Sequence, residues 1–342
     1  MKQGVAYAGV AGAMWGLVLM VPQLLPEFSP VLLSCARFVL FGLVTLVLAI
    51  PMRKALGRLT LADVWILGRL ALVGNLLYFI CLVAAIQRLG VAPASLIVGV
   101  LPLTITLYGR HDSGGVALRQ LFMPLMLILA GMLCINLQTF AVEQGALEDK
   151  LVGVLYALAA LACWTWYAVN NSRYLKQCGH FDSHQWSVLC GVMTGVFSLV
   201  LVAFLALWQP AQLQVQASTE RWWLFWLYSL GCAIFGSWLA ALLWNAASKR
   251  MPLTLSGQLI VFETLFALLY AFIWRQSGPS LLEAAAIVLV IGGVCLSMRQ
   301  HGPGSSGLAP PNDVTGRMLS RGQPAPVVLA NTVHSCEKAA TK

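Results

Sequence analysis

The chain has 342 residues, of which 59% are hydrophobic and only 10% charged, with a formal net charge of +9. Soluble domains average about 25% charged residues, so this composition excludes an ordinary soluble enzyme and specifies an all-α integral membrane protein. The positive balance then belongs to lysines and arginines that anchor connecting segments beside a lipid bilayer, and no soluble portion is left to take nucleic acid as a partner.

A spanning helix needs about 20 largely apolar residues. Taken in chain order, ten such runs are expected, at 4–25, 31–51, 64–86, 93–110, 119–139, 150–171, 185–208, 222–247, 253–274 and 281–299. Proline, glycine or charge marks most breaks: Pro26 and Pro30, Pro51 with Arg53-Lys54, Gly90 and Pro93, Gly114-Gly115, Pro210, Pro252, and Gly278-Pro279. The first run is too long for a signal-peptide core and has no A-x-A cleavage site, so it is expected to remain as a span. With the N-terminus inside, eleven connecting Lys and Arg (Lys2, Arg53, Lys54, Arg58, Arg110, Arg119, Arg173, Lys176, Lys249, Arg250, Arg299) fall inside. Four (Arg88, Lys150, Arg221, Arg275) fall outside. That bias predicts a multi-pass inner-membrane protein with both termini cytoplasmic and the acidic loop Glu143, Glu148, Asp149 outside. Residues 300–342, rich in Gly, Pro and Ser, are expected to be a disordered cytoplasmic tail.

Nine cysteines are present, seven inside apolar runs, where Cys behaves as a small hydrophobe. No C-x-x-C or Cys/His spacing points to a metal or a redox cofactor, and none is expected.

Two stretches recur. Gly4-Val5, Tyr7-Ala8 and Trp15 reappear 149 positions later as Gly153-Val154, Tyr156-Ala157 and Trp164. Ala84-Ala85, Arg88 and Leu101-Pro102 fall 162 positions before Ala246-Ala247, Arg250 and Glu263-Thr264. The 13 extra residues fit the longer connection at 209–221. Two copies are therefore expected, at 1–140 and 150–299, each of five helices. Because five is odd, the second copy must enter the membrane upside down. Such inverted repeats are a signature of secondary transporters that hold substrate near the midplane and work by alternating access.

The M-W-G of the first helix, the A-P-A-S followed by L-P around the fourth, and the segments at 74–90, 163–168 and 259–270 resemble the drug/metabolite transporter superfamily, in particular its EamA-type exporters. The resemblance covers residues 4–299. It implies a ten-helix carrier whose cavity is lined by helices 1, 3, 4, 6, 8 and 9 and which exports small metabolites such as amino acids. One departure stands out: Glu263-Thr264 occupies the place where EamA repeats commonly carry Glu-Pro, which removes the proline expected to kink that helix.

Glu263 is a carboxylate in the middle of an apolar run, and such residues usually face a bundle interior or a water-filled cavity. It has two readings: a proton-coupling group, or a carboxyl that hydrogen-bonds backbone at a helix break and holds the fold. Ser256 and Gln258 add polar groups along the same helix. Asn75 with Tyr78, Trp164 with Tyr167, and Trp238 with Asn245 have spacings that place each pair on one helix face. With Trp15 and Gln258, these aromatic and amide groups are candidate substrate contacts. The bland alternative is that the aromatics sit in interfacial belts and the amides bridge helices. Arg37, about 10 Å into its helix, could receive a substrate carboxylate or snorkel to the outer surface, and snorkelling is expected, as it is for Arg69 near the inner end of its helix. Gly12-x-x-x-Gly16 and Gly191-x-x-x-Gly195 are read as packing motifs, and Pro102 as a kink in the fourth helix.

All five histidines lie in connections, at a helix edge or in the tail, and hydrolytic and nucleotide-binding motifs are missing, so no catalytic residue is assigned and no enzyme is expected. The expectation is a secondary transporter exporting a small neutral or zwitterionic metabolite or amphipathic drug, with Glu263 as coupling group and the oligomeric state left open, a monomer being compatible. The alternatives are an uncoupled facilitator or channel-like permease, or an exchanger of organic anions of the nucleotide-sugar type.

Overall fold

The computed structural model describes residues 1–18, 20–25, 27–89, 94, 97–109, 112, 118–137, 147–177, 181–276 and 278–301. Outside them lie most of the start of the fourth candidate helix, Glu143 of the acidic loop, Cys178 and the tail from residue 302.

Helix starts are set by short polar side chains that satisfy otherwise unpaired backbone N–H groups. Helix α1 is Lys2–Val18. Helix α2 (Pro30–Ala49) follows Ser29, whose hydroxyl accepts from the Leu32 N–H at 3.2 Å. Helix α3 (61–89) opens on a Thr60–Asp63 capping box, with Thr60 N–H donating to Asp63 at 2.9 Å. Shorter α4 (Leu101–Gly109) and α5 (Leu118–Leu137) lead to α6 (Leu147–Gln177) and α7 (Ser183–Trp208), the latter capped by Asp182 and Gln185. Helix α8 (Thr219–Arg250) starts on Ser218. Helix α9 comes in two pieces, Leu253–Leu259 and Phe262–Arg275, and α10 (Leu281–Gln300) opens on a Ser280–Glu283 box.

Seven of these are long and apolar enough to cross a membrane: Val31–Met52, Leu61–Ile86, Lys150–Gln177, Ser183–Trp208, Thr219–Arg250, Leu253–Trp274 and Leu281–Gln300. The remaining three candidates are helical over Lys2–Val18, Leu101–Gly109 and the apolar stretch Arg119–Cys134, each below that length among the described residues. Large apolar side chains face outward along several spans, among them Leu46 and Val47 of α2, Val200 of α7 and Val288 of α10.

The two halves interleave. Helix α2 packs on α7, α3 on α6, α4 on the first piece of α9, α5 on α10, and α1 on both α8 and α9. Small residues permit the closest crossings. A Cβ built on Gly195 would lie 2.5 Å from the Gly42 Cα, and one on Gly131 would lie 2.6 Å from a methyl of Val290. The Gly12-x-x-x-Gly16 ridge of α1 lies on the backbone of α9: Cβ atoms there would meet Phe262 Cβ at 2.6 Å and Ala267 N at 2.9 Å.

Two helices widen in the middle. Residues Leu70–Leu77 of α3 and Cys232–Leu239 of α8 are π-helical, eight residues each, and the second segment begins 162 positions after the first. Each carries a glycine pressed against the other half. Gly74 lies against Tyr167 of α6, and Gly236 lies against Val18 of α1. Tyr167 and Val18 are themselves 149 positions apart. Helix interruptions correspond as well. The turn at 99–100 precedes α4, with Pro102 at the second position of that helix, and the turn at 260–261 divides α9. In α9 the break forms without a proline: Val261 N–H turns back to Gln258 O at 3.4 Å and Glu263 N–H to Ile260 O at 3.1 Å, tightening the chain by one residue each time.

Ion pairs join the halves at their ends. Arg221, at the start of α8, grips Glu27 in bidentate fashion and donates to Leu24 O at 2.7 Å. Arg173, late in α6, holds Asp112 through Nε at 3.1 Å and Nη2 at 2.9 Å.

Gln300 belongs to α10 and His301 closes it, so the tail expectation applies only from 302. The His301 Nδ1 lies 2.8 Å from Ser297 O, and Nε2 lies 2.7 Å from Thr254 Oγ1 of α9. A carbonyl only accepts, so Nδ1 carries the hydrogen and the neutral ring accepts at Nε2 from Thr254. Burial holds the His301 pKa below its ordinary value, an effect the Ser297 carbonyl opposes in part. A depressed histidine pKa favours the neutral ring in the fold, so this contact contributes stability above the ordinary range, about 6.5, and loses it as the pH falls further. Acidification from pH 7.5 to 5 is therefore expected to speed amide exchange in the last turn of α10. In a His301→Leu variant the exchange rate, corrected for intrinsic pH dependence, should stay flat across that range.

Candidate functional site

The widened turns of α3 and α8, the break in α9 and the middles of α1 and α6 meet in one region. A π turn adds a residue to the ladder and leaves backbone groups outside the regular pattern. In α8 the consequence is direct. The carbonyl of Gly236 accepts from Trp15 Nε1 at 2.9 Å and from Arg37 Nη2 at 3.3 Å. The Arg37 Nε donates to the neighbouring Ser237 hydroxyl at 2.9 Å.

Four of the expected site aromatics come together here. Trp164 stacks on Tyr167 (centroids 4.7 Å apart, planes 19°) and on Tyr78 (5.3 Å, 28°). Trp15 meets the Trp164 ring edge-on at 6.2 Å. A fifth ring, Trp244 of α8, lies 5.3 Å from Trp15. Trp15, Tyr78 and Trp164 remain half-buried.

Glu263 lies in the first turn of the second piece of α9. Its backbone is covered by Gly12 and Gly16, while its side chain is half-buried and hydrogen-bonds no described residue. Helix N-termini favour negative charge, and Gly16, which covers Glu263, adjoins Trp15, whose indole shares the Gly236 carbonyl with Arg37. No described carboxylate sits within 4 Å of the Arg37 guanidinium.

The other expected residues go elsewhere. Asn75 donates to Thr194 Oγ1 of α7 at 2.8 Å, away from Tyr78. Trp238 packs among Phe38, Phe41 and Leu76 and meets His184 edge-on at 6.0 Å, with its indole N–H unpartnered among the described residues. Asn245 belongs to a buried chain: Trp186 Nε1 donates to Asn171, Asn171 to Asn245, and Asn245 to Ser187, each at 2.8 Å. Gln258 is fully buried with both amide atoms unpartnered among the described residues. It shares a helix face with Thr254, the partner of His301.

Arg37 does not snorkel. The widened turn offers two acceptors inside the bundle, and the guanidinium takes them with its edge over the Phe38 ring at 5.3 Å. Arg69 lies over the Trp166 ring at 5.0 Å. Sequence reasoning also missed Trp244, Ser237, Gly236 and Thr194. Straight-helix spacing pairs Trp238 with Asn245. The extra residue of the π turn rotates the remainder of α8 and brings Trp244, eight positions after Gly236, to the same Trp15 ring.

This fold, with seven membrane-length apolar helices among the described residues, defines an integral membrane protein. The chain belongs to the EamA-like transporter family, whose model matches it twice, at residues 2–137 and 151–299. It is 34% identical over 312 residues to the inner membrane protein YtfF of Escherichia coli strain K12, covering 87% of this chain and 96% of that one. It is 23% identical over 300 residues to the uncharacterized transporter YetK of Bacillus subtilis strain 168, covering 87% and 88%. A solved crystal structure of a 19% identical protein superposes with a TM-score of 0.71, covering 88% of this chain and 98% of that one, a likeness of fold alone.

Proposed function

We propose that the protein is a proton-coupled secondary transporter of the inner membrane, with both termini cytoplasmic, that exports a small neutral or zwitterionic metabolite or an amphipathic drug. In this reading ten helices form two inverted five-helix repeats, and alternating access exchanges their two packings. The paired π segments 162 positions apart, the reciprocal contacts of Gly74 and Gly236, and the doubled match to the family model support the repeat.

One observation carries the mechanism. A half-buried carboxyl, Glu263, sits at a helix break with no described hydrogen-bond partner, next to a stacked aromatic group drawn from both halves. Charged groups inside membranes are rare and mark ion or proton pathways. The rings of Trp15, Tyr78 and Trp164 supply flat apolar surface for the solute. The uncoupled alternative has its own support: the first turn of a helix stabilises a carboxylate without any transport role.

Proteoliposomes loaded with a mixture of amino acids and cationic drugs separate the two. A pH gradient should accelerate efflux by the wild type, and Glu263→Gln should lower that acceleration at least tenfold while gradient-free exchange continues. Equal response of both proteins to the gradient would sink the coupled reading in favour of a facilitator.

A further inference from the structure

Arg37 places its charge inside the bundle. A guanidinium about midway along α2 could stretch toward the bilayer surface. Instead it turns inward to the widened turn of α8, where it shares the Gly236 carbonyl with the Trp15 indole. Its Nε and Nη2 are held by Ser237 Oγ at 2.9 Å and Gly236 O at 3.3 Å, while Nη1 hydrogen-bonds no described residue. Intramembrane charges pair with each other or with backbone carbonyls. Arg37 takes that carbonyl and shares it with Trp15, whose neighbour Gly16 lies on the backbone of Glu263, a carboxyl with no described partner.

Other groups near Glu263 do not supply this counter-charge. The phenol of Tyr78, whose ring stacks on Trp164, and the thiol of Cys232, at the start of the widened turn of α8, cannot become cations. On α9 itself, the Tyr270 hydroxyl is engaged with Ala13 O at 3.1 Å. Helix α1 presents only glycine and backbone where it covers Glu263.

We propose that Arg37 is the internal counter-ion of Glu263, parked on the widened turn of α8 by Ser237 and Gly236 while the carboxyl carries a proton and drawn to the carboxylate when the proton leaves. The proton passes to water on whichever side is open, and no bond other than the carboxyl O–H changes. Moving the guanidinium removes one of two donors from Gly236 O, leaving the Trp15 indole as the other. The charge state of α9 is thereby tied to the contacts of α8 and to an aromatic ring of the binding site. This inference rests on the reading of Glu263 as the coupling carboxyl, with Arg37 as a positioning residue.

The test needs no substrate. Infrared difference spectra of the purified protein between pH 4 and 10 report the carboxyl C=O band of Glu263, identified by its loss in Glu263→Gln. Removing the counter-ion with Arg37→Gln should raise the midpoint of that band by about one pH unit or more. Ser237→Ala, or Ser237→Gly, releases the guanidinium toward the carboxylate and should lower the midpoint. Arg37→Lys should stay within about half a unit of wild type, since the charge remains. Opposite displacements support the proposal. Unmoved midpoints, displacements in the same direction, or a Glu263 band that fails to titrate in the wild type would each overturn it. Gradient-driven flux measured on the same variants keeps the two readings apart. If Glu263→Gln transports under a gradient as the wild type does, the coupling reading fails even where the infrared displacements appear.

Discussion

Alanine at position 195 is expected to destabilise the protein by about 2 kcal/mol, in the range of overpacked interiors, whereas alanine at position 9 is expected to cost nothing. Both are helical glycines, so intrinsic propensity favours the substitution equally, by about 1 kcal/mol. Surroundings decide the sign. A Cβ on Gly195 would lie 2.5 Å from the Cα and 3.4 Å from the N of Gly42, backbone that cannot rotate aside, while one on Gly9 meets nothing within 4 Å. The contact is reciprocal, so Gly42→Ala should cost a similar amount. The double variant should cost less than the sum, because helices already spread by the first methyl accommodate the second. Thermal unfolding in detergent measures all four proteins. A Gly195→Ala variant as stable as Gly9→Ala would mean that α2 and α7 do not cross this closely.

Asn171→Leu is expected to cost about 2 kcal/mol or more. The change strands the indole N–H of Trp186 and the amide oxygen of Asn245, which otherwise bond Asn171 at 2.8 Å each. Asn171 and Asn245 are about 1% and 2% exposed and Trp186 is fully buried, so water has no access. Each stranded buried group costs about 1–3 kcal/mol. Interhelical hydrogen bonds in membranes average only about 0.6 kcal/mol, because the loosened helices find other partners. Here three helices share one chain of donors, which limits that escape. Adding Asn245→Leu removes the stranded oxygen, and the pair should again fall short of the sum. Full additivity would indicate that the chain of hydrogen bonds does not act as a unit.

Much of the fold was legible because composition and hydropathy report directly on lipid exposure. Seven of the ten runs fall on helices long and apolar enough to cross a membrane, the described parts of the other three are largely helical, and breaks at Pro51, Pro210 and Pro252 lie at helix boundaries. The packing role of Gly12 and Gly16 could be read from spacing alone. What spacing could not give was the change of period. An α-helical ruler pairs Asn75 with Tyr78 and Trp238 with Asn245, but each pair spans or borders a π segment, and the Asn75 amide goes to Thr194, Trp238 to Phe38 and Phe41, and Asn245 to Ser187. Arg37 was misjudged for the same reason: its acceptors exist only because α8 widens at Gly236, and nothing in the local composition announces that. Without a proline at 264 no kink was expected in α9, yet two backbone hydrogen bonds of the tighter type, from Val261 N–H to Gln258 O and from Glu263 N–H to Ile260 O, break it there. Stacked aromatics such as Trp164 and Tyr167, three residues apart on one regular helix, were recovered because no irregularity intervenes.

The interleaving of the halves bears on how the protein is made. Nearly every extensive helix contact joins a residue before 138 to one after 146, so the first half to leave the ribosome has few of its final neighbours. Gly42 and Gly131 then line grooves filled only by lipid, and Arg37 has neither Ser237 nor Gly236 to bind. Native structure dominated by such distant pairings forms late and slowly. During synthesis the early helices are thus a long-lived intermediate with a bare arginine in the bilayer, and their survival depends on how quickly α7 and α8 arrive.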